Sequence, residues 1–146
     1  VSEGALTASA IVRFSTDLEA RSASFYRELG ERYPEHAQAF AGWAEDCVKS
    51  GAQVTRTYQE TVTDALETGF SFAGLNLAAY EVGPDLPPEI GLGRALAEAI
   101  ALEEHAIAFY QDVAERSDSL LATIPRAFRR AARTRRRRLE ELEALG

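Results

Sequence analysis

Apolar residues recur every three or four positions through four long stretches of this chain, and two of the breaks between stretches are short while one is long. That spacing marks amphipathic helices. The first helix is expected from about Ala5 to Arg32, its stripe formed by Ile11, Phe14 or Ser15, Leu18, Ser22, Phe25 and Leu29. Gly30 and Pro34 mark its end, and Pro34 suits the first turn of the next helix. The second, from about Glu35 to Glu67, carries Phe40, Trp43 with Ala44, Cys47, Ser50 with Gly51, Val54, Tyr58 and Val62. A Gly- and Pro-rich segment without clear period fills residues 68–93. The third helix follows from about Pro88 to Arg116, with Leu92, Leu96, Ala99, Leu102, Ala106, Phe109 and Val113 on one face. Thr123 reads as the cap of a fourth, with Pro125 just inside it and Phe128, Ala131, Ala132, Arg135, Arg138 with Leu139, Leu142 and Leu145 along its stripe.

The links constrain the topology. A short link makes helices one and two antiparallel neighbours, and another does the same for three and four. A helix of about 30 residues is about 45 Å long, and a middle segment of about 20–25 residues can stretch to roughly 70–80 Å. It can run the length of the bundle and make helices two and three parallel. The expectation is one all-α domain, residues 1–146: a four-helix bundle of two antiparallel hairpins joined by a long crossover.

Composition narrows the function classes. No apolar run is long enough to span a membrane, and the first residues do not read as a signal peptide. A single cysteine excludes an internal disulfide and a Cys-x-x-Cys metal knot. A cytoplasmic protein with no membrane partner is the expected reading. The net charge of −7 is uneven, because eight of the 16 basic residues are arginines between Arg126 and Arg138. Such a segment in an acidic chain is expected to pair with acidic faces of the bundle or of a second copy, rather than with nucleic acid, since no aromatic residue interleaves the arginines as a stacking platform.

Two nine-residue phrases repeat: LEARSASFY at 18–26 and LEEHAIAFY at 102–110. Residues 17–32 and 101–116 share six identities in 16 positions at a constant offset of 84, where chance gives about one. Glu19 and Tyr26, like Glu103 and Tyr110, lie seven residues apart and share a helix side. Each glutamate adjoins a core leucine at the edge of the apolar stripe. A carboxylate half buried there needs a cation, a tyrosine hydroxyl or a metal.

The phrases LEARSASFYRELGER and ALAEAIALEEHAIAFYQDVAER resemble helices one and three of rubrerythrin-like members of the ferritin-like superfamily. The resemblance implies a ferritin-like bundle, with Glu19 and Glu103 as metal-ligating glutamates of a di-iron centre and Tyr26 and Tyr110 beside them. It also implies a Glu-x-x-His pair from each of helices two and four, and there the sequence departs. The frame FAGWAEDCVKS puts Cys47 and Ser50 at those positions in helix two, and FRRAARTRRRR puts Arg135 and Arg138 there in helix four. Neither histidine compensates: His36 sits three turns from Cys47, and His105 points about 200° away from Glu103.

Arg135 and Arg138 therefore suggest a salt-bridge cluster in place of metal, with guanidinium forks on the two glutamates. The competing reading has both arginines snorkel outward. A single ion held by Glu19, Glu103 and Cys47 is the residual metal reading, with iron the implied element. The functional expectation is a non-catalytic binding or structural module, forming a homodimer. The alternative is a metal-binding oxidoreductase or iron-handling protein with an unusual ligand set. A small-molecule pocket beside Cys47, where small residues replace Glu and His, is a third possibility. The two Cys-x-x-Cys pairs of the iron domain of rubrerythrins proper are absent. The apolar segment at 70–80 is expected to cover the bundle's groove or to seed a dimer contact.

Overall fold

The computed structural model describes residues 8–61, 77–80, 86–116 and 123–145. Their architecture is all-α. Helix α1 spans Ala8–Arg32, α2 Ala37–Thr61, α3 Leu92–Arg116 and α4 Thr123–Leu145, with 3-10 turns at Pro34–His36 and Leu77–Tyr80. Among the described residues there is no strand, and no helix is long and apolar enough to cross a membrane.

The stripes read from the sequence are the buried faces. Ile11, Leu18, Phe25, Tyr26 and Leu29 of α1 join Phe40, Trp43, Cys47 and Val54 of α2 in the core. Leu96, Leu102, Phe109 and Val113 of α3 and Phe128, Ala131, Ala132 and Leu142 of α4 complete it. Helix α1 packs on α2, α3 on α4, α2 on α4 and α1 on α3. Every one of these neighbouring pairs is antiparallel. Thr16 meets Thr55 while Tyr26 meets Phe40, Ser15 meets Tyr110 while Tyr26 meets Glu103, Trp43 meets Glu141 while Cys47 meets Arg138, and Tyr110 meets Phe128 while Glu103 meets Arg138. Helices α2 and α3, on opposite corners, therefore run parallel.

Helix starts differ from the expectation at the prolines. Pro34 opens a 3-10 turn instead of α2, which begins at Ala37. Pro88 does not open α3, which begins at Leu92. The physical reason at the second site is that its carbonyls are engaged elsewhere. Arg32 donates to the carbonyls of Leu86 and Pro87, at 2.8 Å each, and the Tyr33 hydroxyl donates to that of Ile90 at 2.9 Å. The first intrahelical bond recorded there runs from the Ala95 amide to the Gly91 carbonyl. Tyr80 donates to Asp112 at 2.5 Å and its ring meets Phe109 edge-on. The described parts of the connection thus touch the bundle at two levels, Tyr80 against the later half of α3 and Leu86–Ile90 against the end of α1. The expected starts and ends of α1 and α2 at 5–7 and 62–67, most of the apolar segment at 70–76, and the link before Thr123 lie outside the described residues.

Candidate functional site

The repeated phrases meet face to face at mid-bundle. Because α1 and α3 are antiparallel, a glutamate on one helix lies level with the tyrosine seven residues further along the other. The bonds are reciprocal: Tyr26 donates to Glu103, and Tyr110 donates to Glu19 at 2.5 Å. Ser15 bonds the Tyr110 hydroxyl at 2.9 Å. All four groups are buried, Glu19 at 2 % exposure and Glu103, Tyr26 and Tyr110 at 0 %.

Helix α4 closes the cluster. Arg135 is 1 % exposed and Arg138 2 %, which removes the snorkelling reading. One guanidinium spans the two carboxylates: Arg135 lies 2.9 Å from Glu19 through Nη2 and 3.0 Å from Glu103 through Nη1. Its Nη2 also donates to Ser22 Oγ at 3.0 Å, and Ser22 is anchored in turn to the Leu18 carbonyl at 2.7 Å. The Glu19 contact is a charge contact outside hydrogen-bonding geometry: Glu19 Oε1 has no hydrogen-bond partner among the described residues. Arg138 reaches Glu103 at 3.3 Å and the Cys47 sulfur at 3.3 Å, and its guanidinium lies 5.6 Å from the centre of the Tyr26 ring. Two carboxylates and two guanidiniums balance to zero charge, the condition under which ion pairs persist in a dry interior.

The electrostatics follow from that arrangement. Burial disfavours charge on Arg135, but Glu103 and Glu19 outweigh it and hold the guanidinium more firmly protonated than in water. Arg138 behaves the same way, burial again being outweighed, chiefly by Glu103. Burial, reinforced by the carboxylate each one faces, pushes both tyrosine hydroxyls well above their ordinary value. Burial pushes the Cys47 thiol up to about 12 in spite of the two arginines, so at neutral pH it is a protonated thiol and no nucleophile.

The donor set does not fit a di-iron centre. Among the described residues no three His, Cys, Asp or Glu side chains stand close enough together to hold a metal ion. Both glutamates have tyrosine and arginine partners, and two guanidiniums stand where a cation would need carboxylate and imidazole donors. The set of Glu19, Glu103 and Cys47 is likewise not a metal-holding group. His36 lies against Phe40 at the start of α2 and His105 is exposed, bonding the Ala101 carbonyl, so neither faces the cluster.

Of the two vacated positions on α2, only Cys47 joins the cluster; Ser50 is half-buried and takes no part in its hydrogen bonds. On α2, Gly51 also lies against Glu19: an added Cβ there would stand 3.3 Å from Glu19 Cβ. Cys47, Gly51 and the stem of Glu19 line a surface groove between α1 and α2, ≈430 Å³ in volume, with Ala20, Val48 and Ala52 along it. The expected internal pocket beside Cys47 is therefore an open groove, and the guanidinium of Arg138 touches the thiol from the inner side. Sequence reasoning missed Ser15 and Ser22 as cluster members. Their signal was available, because both are small polar residues on the apolar stripe of α1 and each needs a buried partner.

Comparison with family models, with curated proteins and with solved structures yields no match to this chain.

Proposed function

We propose that the chain is a ferritin-like, rubrerythrin-like bundle in which an ion-pair cluster takes the structural place of a di-iron centre, and that it acts as a non-catalytic binding or structural module. The observation that carries the reading is the single guanidinium of Arg135 spanning Glu19 and Glu103. In a di-iron bundle two cations bridge inward carboxylates from neighbouring helices; here a planar cation of fixed charge makes the same bridge from α4. Antiparallel neighbours with parallel diagonals, and a long connection between the parallel α2 and α3, support the ferritin-like topology.

In this charge-neutral cluster the two tyrosines and the thiol are held protonated, so none of them serves as a nucleophile, and the two carboxylates face guanidiniums. The cluster joins all four helices through one set of hydrogen bonds, α2 by way of Cys47, and so specifies their register. A role in binding then belongs to the surface, with a homodimer as the proposed assembly. The test is metal analysis of protein expressed in iron-replete medium, paired with thermal unfolding in excess chelator and in excess ferrous iron. Substoichiometric metal and an unfolding midpoint that moves by less than about 1 °C in both are expected. One or two irons per chain, or a midpoint raised by iron, would refute the proposal, since a ligand bound only by the native state must stabilise it.

A further inference from the structure

The outward side of the α1–α2 pair places an apolar knob beside an apolar hole. Val48 is 50 % exposed, the one large apolar side chain so exposed among the described residues. It stands on the rim of the ≈430 Å³ groove between α1 and α2 without filling it. The α2 lining of that groove runs from Cys47 to Gln59, so its middle lies about one turn beyond Val48. Thr16 and Ala20 form one wall and Ala52 and Thr55 the other, and Gly51 lets the floor drop to the stem of Glu19. The hydroxyls on the walls are engaged: Thr16 donates to the Val12 carbonyl at 2.9 Å and lies 3.3 Å from the Thr55 hydroxyl. The described parts of the α2–α3 connection lie elsewhere, Tyr80 against Phe109 and Asp112, and Leu86 and Pro87 against Arg32.

We propose that two copies of the chain meet on this face, α2 packing antiparallel on α2 of the second copy about a two-fold axis at the level of residue 50. In that register Val48 of each copy stands level with Ala52 of the other and enters the groove bounded by Thr16, Ala20 and Thr55. The same register brings Glu45 level with Arg56 of the second copy, giving two symmetric pairs of opposite charge. Val48 and Ala52 are four residues apart and Glu45 and Arg56 eleven, so all four lie on one side of α2 and both pairs are centred on the same point of the helix. That is the condition for an isologous contact, in which one patch complements itself. Within one chain Glu45 faces Lys49 at 3.8 Å, with side chains 72 % and 73 % exposed, a pair worth little on its own. The area suffices as well. Each helix has 25 residues and is about 37 Å long, and two helices about 10 Å apart present about 700 Å², near the about 800 Å² per partner of a standard interface. Alanine, valine and threonine occupy its middle and the charged pairs its edge, as in a stable protein–protein contact. The inference rests on the homodimer proposed above, adding its face and register, and is independent of what occupies the buried cluster.

The test is sedimentation velocity over a concentration series of wild type, Val48→Asp, Glu45→Arg, Arg56→Glu, the double variant Glu45→Arg with Arg56→Glu, and Arg130→Glu. Arg130 is exposed on α4, so its variant changes charge as much as Arg56→Glu without touching the face. A wild-type dimer that dissociates on dilution is expected. Val48→Asp should weaken it by about a hundredfold or more, since a carboxylate would enter an apolar groove. Each single reversal should weaken it by about tenfold, because like charges then meet twice. The double reversal restores both pairs with their signs exchanged and should return to within about threefold of wild type, and Arg130→Glu should stay there too. Loss in both single reversals without recovery in the double overturns the register. A dimer indifferent to Val48→Asp and to the reversals overturns the face while the homodimer itself stands. A wild type that is monomeric throughout overturns this inference and the homodimer together. A monomer whose unfolding midpoint falls in Val48→Asp assigns the groove to residues 62–76 of the same chain and overturns it as well. The substituted side chains are all exposed, and unchanged helical circular dichroism confirms that the fold is intact.

Discussion

Replacing Arg135 with methionine, of similar length but without charge, tests the logic of the cluster most directly. The substitution removes the contacts to Glu19 at 2.9 Å, Glu103 at 3.0 Å and Ser22 at 3.0 Å. Glu103 keeps Arg138 at 3.3 Å and the Tyr26 hydroxyl. Glu19, 2 % exposed, is left with Tyr110 alone. A buried ion pair broken on one side costs about 3–5 kcal/mol, because the remaining charge has lost its compensation. For a domain of this size each kcal/mol lowers the unfolding midpoint by about 2–4 °C, so a fall of about 6–20 °C is expected. Adding Glu19→Gln to Arg135→Met removes the orphaned charge and should recover at least about 1 kcal/mol. Glu19→Gln alone should destabilise, since it leaves two guanidiniums facing one carboxylate. Urea unfolding is the assay. Its fluorescence probe is Trp43, the only tryptophan, 8 % exposed and 5.8 Å from Tyr26 across an edge contact, with circular dichroism as the second probe. Additive effects of the two substitutions, within about 0.5 kcal/mol, would show that Arg135 and Glu19 are not energetically coupled and that the cluster does not organise this core.

Other expectations follow from neighbouring contacts. Cys47, Tyr26 and Tyr110 are acids whose folded pKa lies above the unfolded value, so their contribution is complete below the unfolded pKa and is lost as pH rises towards the folded one. For Cys47 the window runs from the ordinary thiol value of 9.0 up to about 12; at pH 11 that one group costs about 3 kcal/mol, and Cys47→Ala should flatten the decline in the unfolding midpoint between pH 9 and 11 measured by circular dichroism. Gly51→Ala sets a gain in helix propensity of about 1 kcal/mol against a Cβ 3.3 Å from Glu19 Cβ, so a net change within about 1 kcal/mol is expected. Gly51→Leu should overpack the same spot and cost about 1–3 kcal/mol in urea unfolding. Arg32→Ala releases the carbonyls of Leu86 and Pro87; amide hydrogen exchange at residues 89–92 should quicken by tenfold or more while exchange in the middle of α3 is unchanged.

Periodicity alone was enough for the helices and for which face each one buries, because burial of an apolar stripe depends on spacing within one segment. Ile11, Leu18, Phe25 and Leu29 could be assigned inward without reference to any other helix, and so could Phe109 and Val113. The 84-residue repeat likewise marked Glu19, Tyr26, Glu103 and Tyr110 as one set, since equal offsets place them on equivalent faces. Partner choice was not legible in the same way. Each tyrosine shares a side with the glutamate of its own helix, yet it bonds the glutamate of the other, because antiparallel packing brings residue 26 level with 103 and residue 110 level with 19. Whether Arg135 and Arg138 turned in or out was equally undetermined by a run of arginines, in which every helix side carries the same charge. Only the packing of the helices decides it, by placing two buried carboxylates within reach of two of the eight guanidiniums. Spacing within a segment is a local property written in the chain; the compensation of a buried charge is a property of the space between segments, and it exists only once the bundle has closed.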